Sequence, residues 1–426
     1  MRKKGKSPIQ EAVRAQYERF PYPAPIESID SNILDGSAGF EGCPKRDHRL
    51  FWPAGPVRED IDILIAGCGS NQAAQTGHVL PNARITAIDL SQASIEHSRR
   101  LAEKHGVKNI EYRQMSLYDA GQLDRDFDLI ISTGVIHHLP DPAGGLKALR
   151  EVLRREGAML IMVYGRYGRD SVYLLQDLFR RMKLKVDTVT DEEIRQMIAL
   201  VQNVPANHPY RLREKLYSNF KREEMVDLYL HPQDVAYTVP EILDLLGESG
   251  LVLQRWLRQS DYYPRCSSLV NHPFYERVAA MNEREQWAIG ELYRCDINRH
   301  AFIACRDDRP ETSYRIDFDS DVFWDYVPHV RWTLSRDARS DGQPGLDVWI
   351  DRRGPDEPKI QLDAPQAMVL SRLDDSKSVR DIVAGLRAFG DEETVRTYVK
   401  SVLRDFWMFD YISFRLPARS DPPERP

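Results

Sequence analysis

Regular hydrophobic patterning begins at Ile61, where the run to Ala66 is apolar apart from one aspartate and is typical of a buried parallel strand. Four more strands follow, separated by stretches with helical periodicity. The strands are predicted at residues 84–89, 109–114, 127–132 and 158–164, and the helices at 72–80, 91–105 and 146–153. This alternation predicts a doubly wound α/β sheet, in which ligands bind beyond the carboxyl ends of the strands.

The pattern turns mainly helical after residue 165, with amphipathic helices predicted at 171–182 and 191–201. We interpret residues 165–240 as a helical cap inserted into the sheet domain. Strands at 252–257 and 300–305, with a second helical insertion between them, complete a seven-stranded Rossmann-like sheet. The predicted fold class is therefore α/β.

The patterns predict four regions. They are an N-terminal strap at 1–58, the sheet domain at 59–307, a small α+β C-terminal domain at 312–416 and a disordered tail at 417–426. The C-terminal domain has three predicted helices and a terminal strand, an arrangement similar to a winged helix. Its predicted role is to select a substrate without doing chemistry itself, and a homodimer module is the alternative.

Composition narrows the class of protein. The 426 residues are 42% hydrophobic and 29% charged, with a net charge of -6, which is ordinary for a globular protein and carries no strong nucleic-acid signal. No apolar run is long enough to span a membrane, and no signal peptide is apparent. Five scattered cysteines without zinc-type spacing predict no metal site and favour a reducing, cytoplasmic location.

Two features predict a nucleotide site. The first strand runs into Ala66-Gly67-Cys68-Gly69-Ser70, whose glycines permit a sharp turn and close approach of a ligand. Asp89 ends the second strand 22 residues after Gly67, where an acid can accept ribose hydroxyl groups. Considered alone, the glycine turn is equally typical of a tight strand-to-helix connection that binds no ligand, and Asp89 of a residue that caps the next helix. Considered together, the two features favour ribose binding. Gln72 replaces the third glycine of a dinucleotide fingerprint, which disfavours the alternative of a nucleotide-dependent oxidoreductase.

The order of these motifs, with Ser116-Leu117 and the segment 127–142, resembles the class I S-adenosylmethionine-dependent methyltransferases. The resemblance implies S-adenosylmethionine as cofactor and S-adenosylhomocysteine as product. It implies that the turn holds the methionine moiety, Asp89 the ribose, the next residues the adenine, and the loop after the fourth strand the methyl pocket. The implied cofactor-binding residues are Ala66, Gly67, Cys68, Gly69, Ser70, Asp89, Leu90, Ser116, Leu117, Thr133, Gly134 and Val135.

The chain departs from the family pattern at two positions. Ile65 stands where the family often has an acid, which removes one partner for the cofactor ammonium. Asn71 stands where a further glycine is frequent. We expect the turn to survive because asparagine tolerates the left-handed conformation.

The catalytic group is not identified by the sequence, and three side chains are considered for it. His138 follows the fourth strand, where a histidine is either a general base or part of the loop structure. Tyr17 and Tyr22 lie in a Tyr-x-x-x-Pro-Tyr-Pro stretch similar to one that precedes some bacterial methyltransferase domains. That stretch either covers the cofactor, with an aromatic ring against the sulfonium, or packs as a strap on the domain.

His231, Asp234 and Tyr237 lie in a polar and aromatic segment before the late sheet helix. They either contact the substrate or pack the cap on the sheet. The predicted function is methyl transfer to an acceptor, with a protein or peptide favoured over a small metabolite because so much chain lies outside the cofactor fold. The non-enzyme alternative is a cofactor-binding regulatory or scaffold protein.

Overall fold

The computed structural model describes residues 8–29, 42–217, 220–351 and 359–417. Within them the chain forms two compact units. The first contains the described parts of 1–39, 58–257 and 282–308, and the second those of 40–57, 258–281 and 309–426.

The first unit is built on the predicted seven-stranded sheet, with strand order β3-β2-β1-β4-β5-β7-β6. The strands are β1 Asp62–Ala66, β2 Arg84–Asp89, β3 Ile110–Gln114, β4 Phe127–Thr133, β5 Leu153–Tyr164, β6 Leu251–Trp256 and β7 Arg299–Arg306. Strands β1 to β5 pair in parallel, and β7 runs antiparallel to both of its neighbours. Every residue of β1 is buried, as its apolar sequence predicts. The Rossmann-like fold class is confirmed.

The helices of this unit begin where the sequence offers capping groups. Ser91 accepts the backbone N–H of Ser94 at the start of its helix, and Asp141 accepts that of Gly144. Because Asp141 and Pro142 form a helix start, that helix begins four residues before the predicted one. The helices are Pro8–Arg19, Gln72–Val79, Gln92–Lys104, Pro142–Glu151, Asp170–Arg181, Asp191–Gln202, Pro209–Arg213, Arg222–Leu230, Val239–Glu248 and Glu283–Arg294.

The helices between residues 170 and 230 share a core of their own. Its large buried side chains include Phe179, Tyr210 and Tyr229, and Phe20 of the N-terminal segment packs among them. The segment before the sheet is therefore joined to the cap by apolar packing, which brings residues 16–26 to the carboxyl ends of the strands.

The second unit contains two small sheets and a helical core. The strands β8 Val327–Val330 and β12 Ile412–Arg415 pair, and β9 Leu334–Ala338, β10 Gly345–Ile350 and β11 Ile360–Asp363 form a three-stranded sheet. The helices are Pro44–Phe51, Tyr275–Ala279, Ala364–Ser371, Val379–Gly385 and Glu392–Met408. Phe323, Leu403, Phe406 and Phe414 are among its buried side chains. Whether this unit is a winged helix stays a prediction.

The division of the chain differs from the predicted boundaries in two segments. Residues 42–57 and 258–281, expected in the strap and in the sheet domain, belong to the second unit. The cause is specific bonding: the backbone N–H of Leu416 donates to the Pro53 carbonyl, and Arg265 forms an ion pair with Asp405 at 2.6 Å. The predicted tail lies outside the described residues, apart from residue 417. None of the described helices has the length and apolar character needed to cross a membrane.

Candidate active site

The turn after β1 can be made only by glycine at two positions. Gly67 and Gly69 have φ angles of +86° and +53°, in the left-handed region. A Cβ atom on Gly67 would lie 2.3 Å from a methyl group of Val135, and one on Gly69 would lie 2.8 Å from the Tyr22 carbonyl oxygen. Glycine is therefore required at both positions, because Val135 and the Tyr22 backbone pack closely against the turn.

Asp89 connects this turn to the second strand. Its Oδ2 accepts the backbone N–H of Gly69 at 2.8 Å, and its Oδ1 accepts that of Ser91 at 2.9 Å. Burial raises the pKa of the Asp89 carboxyl, while the backbone donors oppose the shift. Ser91, and not Asp89, is the N-cap of the following helix. A carboxylate has about four lone-pair positions, so Asp89 keeps acceptor capacity for ribose hydroxyl groups.

The loop after β4 meets the same turn. Thr133 exchanges hydrogen bonds with the Gln72 side chain at 2.8 and 3.1 Å, and Gly134 has a φ angle of +78°. Val135 packs directly against Gly67. Gln72 was missed by the sequence reasoning, which considered it only as the place of an absent glycine.

The residues predicted beside the adenine lie at the ends of β2 and β3. Ser116 caps a short 3-10 helix that begins at Leu117, and Leu117 is buried. The carbonyl of Leu90 accepts a hydrogen bond from Gln114 at 3.0 Å. The predicted residues thus share the carboxyl edge of the sheet, where this class of fold binds its ligands.

The fit of these residues to S-adenosylmethionine follows from the shape of the glycine turn and from the polar groups beside it. The sharp glycine turn exposes no side chain of its own, and Asp89 beside it offers carboxylate oxygens to a ribose. Cys68 is buried, and burial raises the pKa of its thiol well above the usual range, so it supplies a neutral wall. Ala66 and Ser70 are buried beside it.

The N-terminal strap packs on the glycine turn. The Ser70 hydroxyl donates to the Pro23 carbonyl at 2.5 Å, and Asn71 donates to Ala24 at 3.1 Å and accepts from Ile26 at 3.3 Å. Asn71 does not use the left-handed conformation that asparagine tolerates, since its φ angle is -125°. The turn does not need that conformation, because the asparagine side chain bonds to the strap.

A second group of polar side chains meets beside the strap. The Tyr17 hydroxyl lies 3.2 Å from Oδ1 of Asp227 and 3.2 Å from Nε2 of His231. Tyr164, the last residue of β5, bonds to the other Asp227 oxygen at 3.5 Å. Tyr22 is hydrogen-bonded to Glu224, and burial raises the pKa of its phenol. Asp227 is buried and was not identified from the sequence.

His138 joins this group through aromatic contacts. Its ring stacks on that of His231 with centroids 3.7 Å apart, and its Nδ1 lies 2.5 Å from the carbonyl oxygen of Gln233. The backbone N–H of Gln233 donates to Nδ1 of His231 at 3.1 Å. One residue therefore orients both rings. His137 is buried, and its ring packs against that of Tyr164 in a tilted arrangement with centroids 3.8 Å apart.

Burial dominates the electrostatics of this group. It raises the pKa of Asp227 to about 7, with a further contribution from the charge of Asp234. It lowers the pKa of His138 to about 4 and that of His231 well below the usual range. Both histidines are therefore neutral near pH 7, whereas Asp227 changes charge there.

Asp234 and Tyr237 have structural partners. Asp234 forms a buried ion pair with Arg169 at 2.7 Å and accepts hydrogen bonds from Tyr173 and Gln176. The Tyr237 backbone bonds to that of Tyr164 at 2.9 Å. These contacts are those expected of residues that pack the cap on the sheet, and substrate contact by either residue stays a prediction.

Part of the first unit is similar to known methyltransferase domains. A family model described as a methyltransferase domain matches residues 58–217. The chain is 27% identical to an uncharacterized protein of Synechococcus, over 71% of this chain and 73% of that one. It is 29% identical to the malonyl-[acyl-carrier protein] O-methyltransferase of Acetivibrio thermocellus and 34% identical to a ubiquinone biosynthesis O-methyltransferase of Methylocella silvestris. These matches cover 30% and 25% of this chain, and less than half of either relative, 44% and 41%.

A solved structure shares the fold over most of the chain. The structure of PKMT2 from Rickettsia typhi in complex with AdoHcy superposes with a TM-score of 0.63 at 14% identity, covering 88% of this chain and 76% of that one. At this identity the likeness concerns the fold alone.

Proposed function

The chain carries a class I S-adenosylmethionine-dependent methyltransferase domain, and from this premise we propose that it methylates a protein or peptide acceptor in preference to a small metabolite. The observation that carries the enzymatic part is the bond between Asp89 and Gly69, which joins the ribose-binding acid to the glycine turn at 2.8 Å. The methyltransferase assignment replaces the oxidoreductase alternative.

Different residues of the site would bind the cofactor and orient the acceptor. When bound, S-adenosylmethionine supplies a methyl group on a positively charged sulfur. Asp89 and the turn after β1 would hold the nucleoside and methionine portions, and Thr133 to Val135 would line the space beside the methyl group. Methyl transfer depends mainly on the in-line approach of the acceptor, so fixed walls contribute by orientation. The Tyr17 and Tyr22 rings offer aromatic faces to a cation.

The preference for a polypeptide acceptor rests on the second unit. It has its own buried core and an open groove of about 690 Å³ along the helix Glu392–Met408. The groove is lined by acidic and basic side chains and by one indole ring. Such a surface suits an extended polar chain better than a compact apolar metabolite. Its lining residues are Trp324, Glu392, Glu393, Arg396, Thr397, Lys400, Ser401, Arg404 and Asp405.

The test is transfer of a labelled methyl group. The protein is incubated with methyl-labelled S-adenosylmethionine and a bacterial lysate, and the labelled product is sized and treated with protease. We expect label in protease-sensitive material of high mass, and much less label with the Asp89→Ala variant at a cofactor concentration that does not saturate it. Label confined to small protease-resistant molecules would contradict the polypeptide acceptor. Calorimetric binding of AdoHcy without any labelled product would favour the scaffold alternative.

A further inference from the structure

The bonding around Gln233 determines which nitrogen of each histidine carries the proton. A backbone N–H can only donate and a backbone carbonyl can only accept. Nδ1 of His231 faces the N–H of Gln233, so in the neutral ring its proton lies on Nε2. Nδ1 of His138 faces the Gln233 carbonyl, so its proton lies on Nδ1. The two stacked rings therefore hold opposite tautomers.

These tautomers fix which atom donates in each hydrogen bond among His231, Tyr17 and Asp227. Nε2–H of His231 donates to the Tyr17 oxygen, which leaves the Tyr17 proton to be donated to Oδ1 of Asp227. Gln16 donates to the same Asp227 oxygen at 3.4 Å. A phenol oxygen has two lone pairs, so Tyr17 retains one for a further donor. The chain of bonds runs from His231 through Tyr17 to Asp227.

The same bonding argues against a metal site. The ligating atoms of His138, Asp227 and His231 lie within 4.8 Å of one another, close enough to hold an ion. A histidine ligand must offer an unprotonated nitrogen. Binding through Nε2 of His231 would move its proton to Nδ1, where it would face the N–H of Gln233. The backbone thus opposes the tautomer that a metal requires.

We propose that Asp227, reached through the Tyr17 hydroxyl, takes up the proton that the acceptor loses on methylation, and that His231 positions Tyr17 for this transfer. The proposal rests on the proposed function. As the bond from the acceptor atom to the methyl carbon forms and the carbon–sulfur bond breaks, the acceptor proton passes to the Tyr17 oxygen. The Tyr17 proton passes to the Asp227 carboxylate, so Tyr17 ends as a phenol and Asp227 as a neutral acid.

The location and the ionisation of Asp227 support this role. His138 lies in the loop that follows Thr133 at the end of β4, and Tyr164 is the last residue of β5. The polar group around Asp227 therefore lies at the same carboxyl edge of the sheet as the glycine turn and Asp89. A base works best when its pKa is near the working pH, and that of Asp227 is about 7, whereas that of His138 is about 4. The charged and titratable groups around Asp227 are Tyr17, Tyr22, His138, Tyr164, Arg169, Glu224, His231 and Asp234.

The first experiment needs no acceptor. Infrared titration of the full chain labelled with ¹³C-aspartate should show a protonated carboxyl band that disappears between about pH 6 and 8. The band should be absent from Asp227→Asn. It should be present in the control variant Tyr210→Phe, which changes a different buried tyrosine of the same helical cap. Absence of such a band from the wild type would overturn the proposal whether or not the protein transfers methyl groups.

The second experiment follows labelled methyl transfer to lysate protein across the same pH range. Asp227→Asn and Tyr17→Phe should each lose about a hundredfold in rate and the pH dependence near 7, with AdoHcy affinity unchanged. Asp227→Glu should restore part of both. An unchanged pH profile in Asp227→Asn would overturn the proposal, as would a stoichiometric metal in the wild type that this variant lacks. Absence of any transfer by the wild type would instead refute the proposed function.

Discussion

Asp89 accepts the backbone N–H of Gly69 at 2.8 Å, so the carboxylate that is assigned to the cofactor ribose also fixes the turn assigned to its methionine portion. The other carboxylate oxygen is bonded to the N–H of Ser91. Two loops from different strands therefore depend on one side chain. Substitution of Asp89 should affect the turn as well as the direct contact with the ligand.

We expect Asp89→Ala to weaken AdoHcy binding by about 1.5–3 kcal/mol, roughly 10- to 150-fold. Asp89→Asn should cost less, because one accepting oxygen remains, although its amide N–H group would face one of the two backbone donors. Calorimetry on the full chain measures both, with Asp126→Ala as an exposed control. A folded Asp89→Ala protein with wild-type affinity would show that the assignment is wrong.

Gly69→Ala should damage the site, whereas Gly247→Ala should not. A Cβ on Gly69 would lie 2.8 Å from the Tyr22 carbonyl, and its φ of +53° disfavours any side chain. A Cβ on Gly247 meets nothing within 4 Å in the helix Val239–Glu248, where alanine stabilises by about 0.5–1 kcal/mol. We expect a lower melting temperature and weaker AdoHcy binding for Gly69→Ala only. Equal behaviour of the two variants would contradict the packing of the strap on the turn.

The stability of the first unit should depend on pH through Asp62. Hydrogen bonds from Arg84 and then Arg154 hold the pKa of this carboxyl at about 2, below its usual value. A lowered pKa contributes stability above the unfolded value near about 4, and this stability is lost as the pH falls toward 2. Asp62→Asn should therefore cost about 1–3 kcal/mol at neutral pH, discounted for the exposed arginines, and much less in acid.

Melting temperatures of the wild type and Asp62→Asn, measured from neutral pH down to about pH 3, test this dependence. Asp60→Asn is the control, since Asp60 is exposed and bonds only to Arg58 among the described residues. A difference between wild type and Asp62→Asn that stays constant with pH would mean that the ion pairs contribute nothing.

The sequence predicts the sheet well because most strands of this fold carry a local apolar run, as in β1 and β4. The glycine turn and Asp89 are also local, each placed at the end of a predicted strand. The pairing of Gln72 with Thr133 is not local, since 61 positions separate them. Asp227 lies in the largely buried helix Arg222–Leu230 and meets Tyr17 across 210 positions, so no spacing in the chain marks the pair.

The boundaries between units were harder to predict for a related reason. A linker composition marks the end of the sheet domain near residue 308, but nothing local shows that residues 42–57 and 258–281 join the later segment. Their assignment depends on distant partners, such as Arg331 for Asp47 and Asp405 for Arg265. A chain ending near Arg309 would remove these partners, so we expect it to aggregate, and point variants give a better test of the second unit.

The groove along the helix Glu392–Met408 is the place for such variants. Arg396 lies over the Trp324 ring at 4.1 Å, a cation–π contact at the surface of the groove. If this groove binds the acceptor, Arg396→Glu should raise the Michaelis constant for labelled lysate protein about tenfold and leave AdoHcy affinity unchanged, as loss of uniform binding does. Arg336→Glu makes the same charge change on β9, outside the groove, and should change neither. Unaltered kinetics in Arg396→Glu with a change in oligomeric state would favour the homodimer alternative, because the same surface would then serve contact between copies of the chain.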